Sequence, residues 1–211
     1  MLSMFNHYPT FMLFLAFVIS MALTMAVMPA FIKLLRHREI GQQVRADGPE
    51  GHLVKQGTPT MGGVIIILMM SLSVFIVHAP DARLLLILAA TLLTGLLGFI
   101  DDASKVAKER SLGLTPIQKM AGLTVIVVAF CLIAVNVLDI APTVTIPFTG
   151  FEIDLGVAAF HIGGVYVPWL YVIFVFLLMA GMSNAVNLTD GLDGLAGGTV
   201  MITMGVMAAI C

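Results

Sequence analysis

The alternation of apolar and polar stretches divides the chain into six long apolar runs joined by short polar segments. The runs cover approximately residues 11–32, 61–77, 84–100, 119–138, 165–186 and 195–211. A helix needs about twenty such residues to cross a hydrocarbon core about 30 Å thick. The pattern therefore predicts an all-α polytopic membrane protein with five complete transmembrane helices and a sixth cut short. The first run has no Lys or Arg before it and is too long for a signal core, so it is expected to stay as a span. Pro29, near the inner end of that run, is expected to bend its helix.

Composition agrees with lipid as the main solvent. Of 211 residues, 60% are hydrophobic and 10% are charged, whereas soluble domains carry about 25% charged residues. The mean hydropathy is +1.08 and the net charge −2. These values exclude a soluble domain, a disordered tail and a nucleic-acid binder, which needs clustered Lys and Arg for phosphates. Cys131 and Cys211 fit neither a disulfide framework nor a metal-binding pair and read as packing residues.

Positive charge sets the expected orientation, because short cytoplasmic loops retain Lys and Arg. Nine of the ten lie on one side: Lys33, Arg36, Arg38, Arg45 and Lys55 between runs one and two, and Lys105, Lys108, Arg110 and Lys119 at or between runs three and four. Arg83 is the exception. Residues 1–211 then read as a single membrane domain with cytoplasmic loops at 33–60, 101–118 and 187–194. The amino terminus and the segment 139–164 fall outside. That outer segment holds Pro142, Pro147, Gly150 and short β-leaning runs, which suggest a small extracytoplasmic β-hairpin. Glu152, Asp154 and the histidines His7, His78 and His161 on that face are assigned no chemistry.

Polar residues at span ends require a reason, since a charge at the bilayer centre costs a few kcal/mol. Three groups gather at one level. Asp101 and Asp102, with Lys105 just beyond, can hold a divalent cation such as Mg²⁺ while the lysine meets an anion. Alternatively, the two acids mark where the helix leaves lipid, with Lys105 paired to them. Asn187, Asp190 and Asp193 are spaced by three and would share one helix face, with Gly191, Gly194, Gly197 and Gly198 allowing close backbone approach. The plainer reading has Thr189 or Asp190 capping the following helix. The third group, residues 47–63, shapes a loop before a helix, with His52, Lys55, Thr58 and Thr60 as donors to phosphate or a heterocycle. Its plainer reading is an ordinary helix start with a polar lead. Together the groups describe chemistry on a phosphorylated substrate at a membrane surface.

At these motifs the sequence closely resembles the phospho-N-acetylmuramoyl-pentapeptide transferase (MraY-type) family, within the polyprenyl-phosphate N-acetylhexosamine-1-phosphate transferase superfamily. Asp47-Gly48-Pro49, His52, Lys55 and the run 57–63 resemble the muramoyl branch, while Asp101-Asp102 and residues 187–193 are shared more widely. The resemblance implies a bacterial inner-membrane enzyme that moves phospho-N-acetylmuramoyl-pentapeptide from its UDP carrier to undecaprenyl phosphate, giving lipid I and UMP with Mg²⁺. It further implies that Asp101, Asp102 and Lys105 are catalytic and that the two acids are candidate metal ligands. Lys55, Gly191, Leu192 and Asp193 would lie near uracil, and Thr60, Asn187 and Asp190 near the sugar-phosphate, with His52 also binding substrate. Oligomeric state is not legible in these residues, and a homodimer stays open.

Two departures accompany the resemblance. Family members run to about ten spans, and no Asp or Glu follows Asp193 and no His follows His161 here, so the 211 residues are expected to be an amino-terminal portion, inactive alone. Ala103 stands where an aromatic commonly follows the acidic pair. Competing readings are a sister N-acetylglucosamine 1-phosphate transferase, disfavoured by residues 47–63, and a truncated, non-catalytic membrane protein. An ion-coupled transporter is a further alternative, although such sites lie near the midplane.

Overall fold

The computed structural model describes residues 9–38, 60–107, 113–146, 149–191 and 194–210. Each of the six apolar runs forms a helix: α1 (Pro9–His37), α2 (Gly63–Val77), α3 (Ala82–Ala107), α4 (Pro116–Asn136), α5 (Trp169–Thr189) and α6 (Leu195–Ile210). Among the described residues, α1, α3, α4 and α5 are long and apolar enough to cross a membrane. The 15 residues of α2 would span only about 22 Å at 1.5 Å per residue, and α6 is similarly short. Apolar side chains on the helix surfaces, such as Phe14 and Met25 on α1 and Met201 on α6, are exposed. In water such surface would drive association, whereas in a bilayer it is solvated by acyl chains. The chain is a polytopic membrane protein.

The residues group into two compact units, 1–81 with 91–119 and 82–90 with 120–211. In the first, α1 packs along α2. Gly95 lets α3 approach α2: a Cβ there would stand 2.7 Å from Ile67 Cδ1. The hydroxyls of Ser71 and Ser73 turn back onto the carbonyls of Ile67 and Met70, so neither is left without a partner in an apolar setting. Pro29 lies inside α1, which continues through it.

In the second unit α4 buries Leu123, Val127, Cys131 and Ala134, a stripe at helical spacing. Cys131 is a buried free thiol packed in that stripe. Two antiparallel pairs follow α4. β1 (Thr143–Thr145) pairs with β2 (Glu152–Asp154), Val144 opposite Ile153. β3 (Phe160–Ile162) pairs with β4 (Val165–Val167), His161 opposite Tyr166. The turn between β3 and β4 places Gly163 and Gly164 at φ 56° and 87°, the left-handed pair that a two-residue hairpin requires. The side chain of Asn136, the last residue of α4, pairs with the backbone of Tyr166 twice: its Nδ2 donates to the carbonyl at 2.9 Å, and the Tyr166 amide donates to its Oδ1 at 2.9 Å.

Two boundaries differ from the apolar pattern. The fifth run begins as strand β4, and the helix starts only at Trp169, after Pro168, whose ring suits a helix start and not its interior. The third run does not end at Ile100. α3 continues through Asp101 to Ala107, because Ala103, Lys105 and Ala107 are good helix formers once the chain leaves its apolar stretch.

Candidate active site

The extension of α3 beyond Ile100 places Asp101, Asp102 and Lys105 on one helical surface. Lys105 Nζ lies 2.8 Å from Asp101 Oδ2, one turn back, and 2.7 Å from Asp102 Oδ1. As a cation in the last turn it also complements the helix dipole. A second lysine arrives from α4: Lys119 Nζ is 2.9 Å from the same Asp101 Oδ2. The other oxygen, Oδ1, accepts the Leu114 amide at 2.7 Å.

The loop that delivers Lys119 is fixed by local rules. The Thr115 amide donates to Gln118 Oε1 at 2.9 Å and the Gln118 amide donates to Thr115 Oγ1 at 3.3 Å. With Pro116 at the first helical position, this is a reciprocal capping box that starts α4. Gly113 has no room for a side chain, since a Cβ would stand 2.4 Å from both the carbonyl oxygen and Oδ1 of Asp101.

The two acids are not equivalent. The Asp101 side chain is 9% exposed and both of its oxygens are engaged, whereas the Asp102 side chain is 38% exposed. Asp102 also lines a cavity of about 540 Å³ between α2 and α3, whose other walls include Met61, Val64, Ile67, Leu92 and Phe99. The result is an apolar groove with a carboxylate in its wall and an ammonium group hydrogen-bonded to that carboxylate. Met61 adopts φ 68° immediately before α2, an uncommon backbone state for a residue with a long side chain.

Mg²⁺, which the resemblance implies, can be tested against these donors. Among the described residues no group of three His, Cys, Asp or Glu could hold a metal. Asp101 already has three protein donors, which leaves Asp102 as the more open acid of the pair. The described residues alone do not complete a metal site.

The remaining expected residues lie elsewhere. Thr60 is half-buried, just ahead of Met61. His52, Lys55, Leu192 and Asp193 lie outside the described residues. Asn187, Asp190 and Gly191 belong to the second unit and are exposed. α5 ends at Thr189, and the stripe expected of Asn187, Asp190 and Asp193 lies partly outside the described residues. Asp190 is the C-cap of α5, its amide bonded to the Val186 carbonyl, and Thr189 Oγ1 donates back to Ala185. The cap position ahead of α6 falls instead to Gly194, at φ 80°, whose carbonyl accepts the Gly198 amide. Neither Thr189 nor Asp190 therefore caps α6. Glycine at 191 and 194 favours this break because it loses the most freedom inside a helix.

Lys119, the Leu114 amide and Gly113 were not singled out by the sequence pattern. The Thr115-Pro116-Ile117-Gln118 box was a legible signal for the start of α4, but no local spacing ties Lys119 to Asp101.

Residues 84–211 match the family model described as glycosyl transferase family 4, and residues 55–67 match phospho-N-acetylmuramoyl-pentapeptide-transferase signature 1. Among similar curated proteins, the phospho-N-acetylmuramoyl-pentapeptide-transferase of Halalkalibacterium halodurans is 42% identical over 202 residues, covering 94% of this chain and 58% of that protein. The protein of the same description from Shouchella clausii is 40% identical over 92% of this chain and 57% of its own length. That from Listeria monocytogenes is 41% identical over 95% of this chain and 59% of its own length. The chain thus spans a little under three-fifths of these relatives.

Proposed function

The chain belongs to glycosyl transferase family 4, and from that membership we propose that it forms part of a phospho-N-acetylmuramoyl-pentapeptide transferase of the bacterial inner membrane. The observation that carries the muramoyl assignment is the signature match over residues 55–67, which also speaks against the sister N-acetylglucosamine 1-phosphate transferase. In the net reaction an oxygen of undecaprenyl phosphate bonds to the sugar-bearing phosphorus of the UDP-linked muramoyl-pentapeptide. The anhydride bond to UMP breaks, and lipid I and UMP result.

The cluster at the end of α3 supports chemistry of this kind. An apolar groove lined by Asp102 suits a substrate that is hydrocarbon at one end and phosphate at the other. Lys105, fixed by two carboxylates, offers a preorganised positive charge to phosphate oxygens, and such fixed charge is effective where water is excluded. Mg²⁺ dependence enters through the resemblance, and when bound the ion would supply further neutralisation of phosphate charge. Of the described carboxylates in the cluster, Asp102 would be the one to meet it. Lys55, Gly191, Leu192 and Asp193 are assigned to the uracil, Thr60, Asn187 and Asp190 to the sugar-phosphate region, and His52 to the substrate as well. The amino terminus and the β-strand segment are assigned to the outer face, since nine of ten Lys and Arg fall on the other side.

The test is a donor-choice assay on detergent-solubilised protein expressed from its own gene. Lipid I and UMP are expected with the UDP-linked muramoyl-pentapeptide and no product with UDP-N-acetylglucosamine. Product from the second donor alone, or from neither, would refute the assignment. Residues 1–211 by themselves, which span under three-fifths of the relatives, are expected to give no lipid I in the same assay.

A further inference from the structure

In the cluster at the end of α3, two carboxylates and two ammonium groups are joined through Asp101 Oδ2, which accepts from both Lys105 at 2.8 Å and Lys119 at 2.9 Å. Without Lys119, Asp101 and Asp102 would share one cation and the cluster would carry a net charge of −1, which repels an incoming phosphate. Lys119 brings the sum to zero and shares the charge on Asp101 with Lys105, which bridges from Asp101 to Asp102 at the groove.

Helix energetics do not explain the position of Lys119. It lies in the first turn of α4, where a cation opposes the helix dipole. Asp101 makes the position tolerable, because its own Oδ1 accepts an amide from the lead into that helix. The absence of space at Gly113 then holds that lead against Asp101.

We propose that Lys119 is a positioning residue for phosphoryl transfer. It acts through Asp101, neutralising and orienting that carboxylate so that Lys105 and Asp102 face the phosphate in register. The proposal rests on the transferase reading above and adds to it a residue that touches neither substrate.

The experiment is a double-mutant cycle on the protein expressed from its own gene, read as lipid I formation per folded molecule, with melting temperature in detergent measured in parallel. Lys119→Met is expected to lower kcat about 30-fold while KM for the UDP-linked muramoyl-pentapeptide stays within about twofold, and Lys119→Arg to recover to within about threefold of the parent. Adding Lys119→Met to Asp101→Asn is expected to cause no further loss, because the group through which Lys119 acts is already neutral. Losses that multiply in the double variant, or a KM rise that Lys119→Arg does not reverse, would mean that Lys119 touches substrate and would overturn the proposal. A lower melting temperature with unchanged kcat would assign Lys119 to stability alone and also overturn it. Absence of turnover in the unmutated protein would instead remove the transferase reading beneath it.

Discussion

The carboxy-terminal end of α3 and the break between α5 and α6 begin from the same chemical material. Each is a pair of acids at the end of a long apolar run. At α3 the first acid is sealed: Asp101 is almost fully buried and receives two ammonium groups and an amide. At the break the described polar residues are open to the surroundings. Asn187 and Asp190 are exposed, and the backbone turns left-handed at Gly194. A buried acid engaged by its own protein holds elements in place, and removing a partner leaves a buried charge that costs several kcal/mol. An acid left exposed costs little to maintain and keeps its lone pairs for something that arrives later. The pair Asp101-Asp102 contains both kinds one residue apart.

The contrast has graded consequences. The largest expected effect is at Asp102. Asp102→Asn should lower lipid I turnover by about 1000-fold, as expected when charge aimed at a transition state is removed, with little change in melting temperature. Asp190→Asn should follow, with turnover down about 100-fold and stability unchanged, because the residue is exposed at a helix end and its role is assigned to substrate. Gly113→Ala should act in the opposite sense, through structure: with a Cβ 2.4 Å from Asp101, a melting temperature several degrees lower and turnover down about tenfold are expected. Glu152→Gln, on an exposed strand of the β segment, should change neither quantity. If Asp102→Asn melted as early as Gly113→Ala, the division between holding and reacting acids would fail.

Much of this architecture was legible in the sequence because lipid imposes a strong length and polarity rule. Six apolar runs gave six helices, and β-leaning residues near 143–153 gave strands. The boundaries were less legible. Hydropathy registers where the apolar stretch stops, not where backbone hydrogen bonding stops, so it places the last turns of α3 in a loop. Val165–Val167 is apolar in either state, and only Pro168 marks the switch from strand to helix. At the site, Lys105 was found because a spacing of three and four is local to a helix. Lys119 was not, because its meeting with Asp101 depends on a tight loop through Gly113 and on the capping box behind it. Asn187 and Asp190 show the converse: their spacing of three suggests a shared helix face, but α5 ends at Thr189.

Asn136 carries a different lesson. Its carboxamide imitates a neighbouring strand to Tyr166, closing a thirty-residue excursion at its root. The ends of the excursion are therefore fastened independently of its contents, much as a clasp holds whatever is threaded on the necklace. Natural variation should accumulate between residues 140 and 164 while positions 136 and 166 stay compatible, and replacing the first hairpin with a short Gly-Ser linker should leave the parting of α4 from α5 as it is. The β segment is in that sense an exchangeable cassette.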